Sequence, residues 1–149
     1  MILIAHNIRS LHNVGSIFRS ANAFGVEKLY LTGYTASPPR KEIAKVSLGA
    51  EHTLKWKAVE DVSEAINTLR NDGYKILALD NVPSAEPISD KRDIQKTALI
   101  LGNEVEGIET EVISLCDSIV FIPTEGHKQS LNVSVATGVA LFALTSESS

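Results

Sequence analysis

Two hydrophobic periods alternate along this chain. Continuous apolar runs occur in "ILIA" (2–5), "YKILALD" (74–80), "TALILG" (97–102) and "SIVFIP" (118–123). Runs of this length read as strands of a parallel sheet covered on both faces. Between them the spacing becomes helical. "NVGSIFRSANAFG" (13–25) places Val14, Ile17, Phe18 and Ala21 on one side and stops at Gly25. "DVSEAINTLRNDG" (61–73) opens on Asp61 with Glu64 three residues later, carries Val62, Ala65, Ile66 and Leu69, and stops at Gly73. "KLYLTG" (28–33) and "TLKWKAV" (53–59) read as further strands, "IETEVISLC" (108–116) as a short helix, and residues 130 to 145 as the last helix. The stretch between 34 and 52 is rich in Ser, Pro and charge and is expected to be loop, with "PPRKEIAK" (38–45) a solvated surface. Strands alternating with helices predict an α/β fold on a parallel sheet with helices on both faces.

In such sheets ligands sit at the carboxyl ends of the strands. The loops that matter therefore follow Leu79, Leu101 and Ile122. "LILGNEVEGI" leaves its strand through Gly102, offers Asn103 and Glu104, and turns again at Gly107. Glycines there let backbone approach a ligand or take positive φ, although Gly-Asn-Glu is also a plain turn. "FIPTEGHKQSLN" leads through Pro123 and Gly126 to Ser130, which is placed to cap the last helix. Asn7, Arg9, Asn13 and Arg19 belong to the first loop and helix. Arg19 lies inside an otherwise apolar helical segment. It is either a snorkelling surface residue or, if buried, a group that needs an anion such as phosphate.

Composition narrows the classes. The chain has 149 residues, 44% hydrophobic and 21% charged, with a formal net charge of −4. That is one domain's worth of an ordinary globular protein, and its bulk field does not favour nucleic acid. A single cysteine, Cys116, forbids an internal disulfide and fits a reducing, cytoplasmic setting. No signal-peptide pattern opens the chain, and its longest apolar stretch, 131–144, is too short to span a membrane. No G-x-G-x-x-G or G-x-x-x-x-G-K-[ST] is present, and His6, His12, His52 and His127 lack metal-ligand spacing. No metal is expected. The last helix is apolar almost all round, with Val133, Val135, Ala136, Val139, Ala140, Leu141, Phe142 and Leu144. Such a helix must be enclosed, and a homodimer interface is the economical way to enclose it.

Three stretches in order, "NIRSLHNVGSIFRSANAFG" (7–25), "LILGNEVEGI" (99–108) and "IPTEGHKQSLNVSVATGVALFAL" (122–144), resemble the motifs of the SpoU–TrmH RNA ribose 2′-O-methyltransferases of the SPOUT superfamily. "VSLGAEH" (46–52) resembles a further short signature of that family. The resemblance runs from about residue 6 to residue 144 and implies S-adenosylmethionine-dependent methylation of a tRNA or rRNA ribose 2′-hydroxyl. It also implies a homodimer and a deep C-terminal trefoil knot, which periodicity alone never predicts. Leu79, Gly102, Asn103, Gly107, Ile122, Ser130 and Leu131 would then hold the cofactor. Arg19, Asn13, Glu104 and Asn132 would serve the transfer, with Arg9 and Arg19 on the RNA. A guanidinium stays protonated, so Arg19 is expected to clamp a phosphate and stabilise the developing alkoxide, with the phosphate or Glu104 taking the proton. Departures from the family pattern are Ser10, often Asp, and Thr124, often Met. Many relatives carry N-terminal RNA-binding domains; this chain is expected to be a single domain, 1–149, without one. A different class remains open, a catalytically idle RNA-binding or assembly module on the same fold.

Overall fold

The computed structural model describes residues 1–88, 94–126 and 131–146. Its first strand, β1 (Ile2–His6), is buried along its whole length, as a continuous apolar run requires. It is followed by α1 (Leu11–Ala23), β2 (Lys28–Thr32), α2 (Lys41–Ser47), α3 (Ala50–Thr53), β3 (Lys55–Val59), α4 (Val62–Asn71) and β4 (Lys75–Leu79). Then come β5 (Glu86–Pro87), a 3-10 turn (Ile94–Lys96), β6 (Thr97–Leu101), α5 (Thr110–Ile113), β7 (Ser118–Phe121) and α6 (Val133–Thr145).

The strands form one sheet in the order β3-β2-β1-β6-β4-β7-β5. Every pairing is parallel, with Ile2 opposite both Lys28 and Ala98, and Leu77 opposite Leu99 and Ser118. Alternate residues of β1 face opposite sides. Leu3 and Ala5 pack with Val14, Ile17 and Phe18 of α1, Ile43 of α2 and Leu141 of α6. Ile2 and Ile4 pack with Ile66 and Leu69 of α4 and Val112 of α5. Both faces are therefore covered, which is what buries β1, β4 and β6.

The structure corrects the expected loop between 34 and 52. It holds α2 and α3, and Ile43 is fully buried. Two short helices with one or two buried residues each leave too little periodicity to be seen. What lets α2 sit against α1 is Gly15: a Cβ there would lie 2.6 Å from the Ile43 carbonyl oxygen and 2.9 Å from Val46 Cβ. The last helix begins at Val133, later than the expected 130, and its cap is Asn132, whose side chain accepts from Ser134 N. Ser130, the expected cap, lies outside the described residues. The two-residue β5 carried no sequence signal, and its Pro87 is tolerated because the strand is at the sheet edge.

α6 buries Val133, Thr137, Ala140, Leu141 and Leu144. Among the described residues its other side is left open: Val135, Val139 and Phe142 form an exposed apolar stripe at helical spacing. No described helix is long and apolar enough to cross a membrane.

Candidate active site

β6, β4 and β7 are neighbours in the sheet, and their carboxyl ends open into one cleft. Leu79, Leu101, Phe121 and Ile122 form its floor and walls, and Leu131, Val133 and Ala136 close it from the start of α6. Its remaining wall is the turn 102–107. Asn103 and Gly107 exchange both main-chain hydrogen bonds, at 3.1 and 3.0 Å. The Asn103 Oδ1 accepts from Val105 N and Glu106 N at 2.8 and 2.9 Å. Gly107 has φ +72°, which a side chain would strain. At Gly102 a Cβ would lie 2.5 Å from Ile108 Cγ1 and 2.7 Å from the Gly107 carbonyl carbon. Gly102 is thus required by the closure of the turn upon itself. Asp80, next on from β4, accepts from Asn81 N and Ile108 N and ties the turn to the neighbouring strand end.

Side chains of that turn reach outward to the start of α1. Glu104 Oε1 accepts from Arg9 N at 2.9 Å; its Oε2 accepts from Ser10 N at 2.9 Å and from Asn13 Nδ2 at 3.0 Å. Ser10 is itself the cap of α1, its side chain accepting from Asn13 N. Partial burial pushes the Glu104 carboxyl upward and is the largest single influence, but the Arg9, Ser10 and Asn13 donors together outweigh it and hold its pKa below the ordinary value. Asn103 Nδ2 donates to the Asn7 carbonyl and to Tyr34 Oη, at 3.0 and 2.7 Å. Glu109 completes the link: its Oε1 lies 2.6 Å from Nε2 of the buried His6 and accepts from Asn7 Nδ2.

Residues 1–142 match the SpoU rRNA Methylase family. The chain belongs to that family. Among curated relatives, the tRNA (guanosine(18)-2′-O)-methyltransferase of Aquifex aeolicus is 33% identical over 145 residues, covering 95% of this chain and 67% of that protein. The 23S rRNA (guanosine-2′-O-)-methyltransferase RlmB of Coxiella burnetii is 32% identical over 143 residues, covering 95% and 57%. This chain therefore spans only part of the relatives' length. The SpoU methyltransferase AviRb of Streptomyces viridochromogenes, solved in complex with the cofactor AdoMet, superposes with a TM-score of 0.88 at 27% identity, covering 97% of this chain and 59% of that one.

In this SpoU-family chain the candidates singled out in the sequence fall into three places. Leu79, Gly102, Asn103, Glu104, Gly107, Ile122 and Leu131 line the one cleft. Asn13 and the Arg9 main chain meet Glu104 at its rim. Arg19 stands exposed on α1 and Asn132 exposed at the cap of α6, and neither lines the cleft. Ser130 lies outside the described residues. Asp80, Glu106 and Val133 line the cleft without having been singled out. Asp80 was the most findable of these, since it directly follows the apolar run of β4. The side chain of Asn103 is fully committed to protein partners at both ends, so any ligand meets it through shape rather than its amide.

Proposed function

We propose that this chain transfers a methyl group from S-adenosylmethionine to a ribose 2′-hydroxyl of tRNA or rRNA. The observation that carries the reading is the grip of Glu104 on Arg9 N, Ser10 N and Asn13. It ties the cleft wall to the start of α1, the helix that also carries Arg19. The named activities of the Aquifex and Coxiella relatives supply the reaction class, and the cofactor bound by AviRb supplies the methyl donor.

The residues present fit that cofactor. The described lining contains Asp80, Glu104 and Glu106 and no lysine or arginine. A cationic sulfonium is favoured by such a field, and an RNA phosphate is repelled by it. Leu79, Leu101, Ile122 and Leu131 give apolar walls for an adenine ring. When bound, S-adenosylmethionine supplies an electrophilic methyl on positively charged sulfur. Leu79, Gly102, Ile122 and Leu131 hold it, with Asn103 and Gly107 shaping the wall and Ser130 assigned to the same group. Asn132 and Asn13 orient the ribose. Arg9 and Arg19 provide the positive charge that the acidic cleft lacks, and Arg19 binds the phosphate and offsets charge developing on the 2′-oxygen. Positioning of the hydroxyl is the main demand of such a transfer. Glu104, its carboxylate oxygens occupied by three donors, is given the task of holding Asn13 and the 9–10 main chain, and the 2′-hydroxyl proton passes to solvent as the methyl–oxygen bond forms.

Two features of architecture belong to the same reading. The first is a deep trefoil knot, supported by the strand order, in which β6 inserts between β1 and β4 and β7 between β4 and β5. The second is a homodimer through α6, supported by the exposed Val135, Val139 and Phe142 stripe. It would bring Arg19 of one protomer to the cleft of its partner. We take residues 1–149 as a single methyltransferase domain acting in the cytoplasm. Isothermal calorimetry with S-adenosylmethionine tests the reading: saturable binding to the intact chain is expected, and none at millimolar ligand overturns it.

A further inference from the structure

Tyr34 is an exposed aromatic ring held rigid at both ends. It follows β2, and its ring and main chain together are 59% exposed. At the tip of the ring, Oη accepts from Asn103 Nδ2 at 2.7 Å. At its root, the main-chain N donates to Asn7 Oδ1 at 3.1 Å. Asn7 itself sits in the left-handed region at φ +55°, where few side chains settle. Its neighbour Gly33 has φ +62°, and a Cβ there would fall 1.8 Å from Asn7 Oδ1. Two unusual backbone positions are thus interlocked around the root of one tyrosine.

The tip is tied to the same turn that forms the cleft wall. Asn103 grips Tyr34, and the next residue, Glu104, grips the main chain of Arg9, whose side chain is exposed. Consecutive residues of the cleft wall therefore fix an aromatic ring and the main chain at Arg9 beside the site. A ring wanted only for packing would be buried, since exposed aromatic area forgoes most of its hydrophobic return. A ring that is immobile but exposed has already lost its rotamer freedom and offers its face to a flat partner at little further entropic cost.

We propose that Tyr34 is a stacking platform for an unstacked base of the RNA substrate, close to the ribose that is methylated. Bases in loops and single strands stack on such rings, whereas those inside an A-form duplex are out of reach. The substrate region is accordingly a loop or another unpaired segment. Tyr34 acts by binding and positioning; it takes no part in the chemistry. The inference rests on the methyltransferase reading above.

The experiment compares the intact chain with Tyr34→Phe and Tyr34→Ala. Each is assayed for methyl incorporation from labelled S-adenosylmethionine into unmodified transcripts of tRNA and of 23S rRNA, and for S-adenosylmethionine binding by calorimetry. One stacked base accounts for roughly five- to a hundredfold in affinity. Tyr34→Ala is expected to raise KM for the RNA at least fivefold, with the Kd for S-adenosylmethionine within twofold of the parent. Tyr34→Phe, which keeps the ring and loses the Asn103 bond, is expected to recover most of that loss. If Tyr34→Phe is as impaired as Tyr34→Ala, or if the S-adenosylmethionine Kd rises alongside KM, Tyr34 is a brace for the turn and the stacking role is overturned. A parent chain that binds S-adenosylmethionine yet methylates neither RNA overturns the reading beneath it; that result is seen before any variant is made.

Discussion

Asn13 and Glu104, ninety-one residues apart in the chain, share a hydrogen bond of 3.0 Å between Nδ2 and Oε2. Glu104 uses its remaining acceptor capacity on the main chain of Arg9 and Ser10. A carboxylate matches this set of donors and a carboxamide does not, because its NH2 would face N–H groups. Glu104→Gln should therefore destabilise the fold by about 1–3 kcal/mol. Urea unfolding at neutral pH checks it.

The same contact has a pH signature. The folded-state pKa of Glu104 lies below its ordinary value of 4.5, so its contribution is complete above that value and is lost as pH falls through the lower, folded one. Stability between pH 7 and pH 5 should be indifferent to this group. Below about pH 4.5 part of the acid-induced loss should belong to it, and Glu104→Gln should flatten that part. Urea midpoints of parent and variant across that range give the answer.

Gly102→Ala tests the turn. The added Cβ meets Ile108 Cγ1 at 2.5 Å and the Gly107 carbonyl carbon and oxygen at 2.7 and 2.8 Å. Two of those three are main-chain atoms, so the 103–108 segment has to move. We expect S-adenosylmethionine affinity to fall by about tenfold or more, in line with the cost of overpacking a close contact. Calorimetry on the folded variant measures it.

The Arg19 side chain forms no ion pair among the described residues and stands exposed. Arg19→Ala should leave stability within about 0.5 kcal/mol and leave S-adenosylmethionine binding intact, while methyl transfer to RNA is abolished. Equal loss of cofactor affinity and turnover would refute the role assigned to it.

Phe142 is 63% exposed, contacts Phe24 edge-on at 6.4 Å between ring centroids, and shares its stripe with Val135 and Val139. A charge placed there cannot be buried without heavy cost. Phe142→Asp should convert a dimer to a monomer in sedimentation at micromolar concentration. A parent chain that already sediments as a monomer contradicts the proposed dimer.

What the sequence made legible follows from period and length. β1, β4, β6, α1 and α4 were plain because long apolar runs and i, i+3, i+4 spacing survive averaging. α2 and α3 were not, because Ile43, Ser47 and Ala50 are their only buried residues and no pattern can be read from so few. The cleft was legible as loops following Leu79, Leu101 and Ile122, since parallel sheets put ligands there. Its wiring was not. That Asn103 and Glu104 turn outward to hold Tyr34, Arg9 and Asn13 depends on which strands are neighbours, and the position of β6 beside β1 is a long-range fact. The resemblance named the motifs without giving the contacts between them.

The central claim is that the cleft and the α1 arginine together methylate RNA ribose. It is tested most directly by incubating the chain with methyl-labelled S-adenosylmethionine and unmodified tRNA and 23S rRNA transcripts, then digesting the RNA to nucleosides. Label is expected in a 2′-O-methyl nucleoside with the parent chain and none with Arg19→Ala. Label confined to a base, or incorporation that persists undiminished in Arg19→Ala, would contradict it.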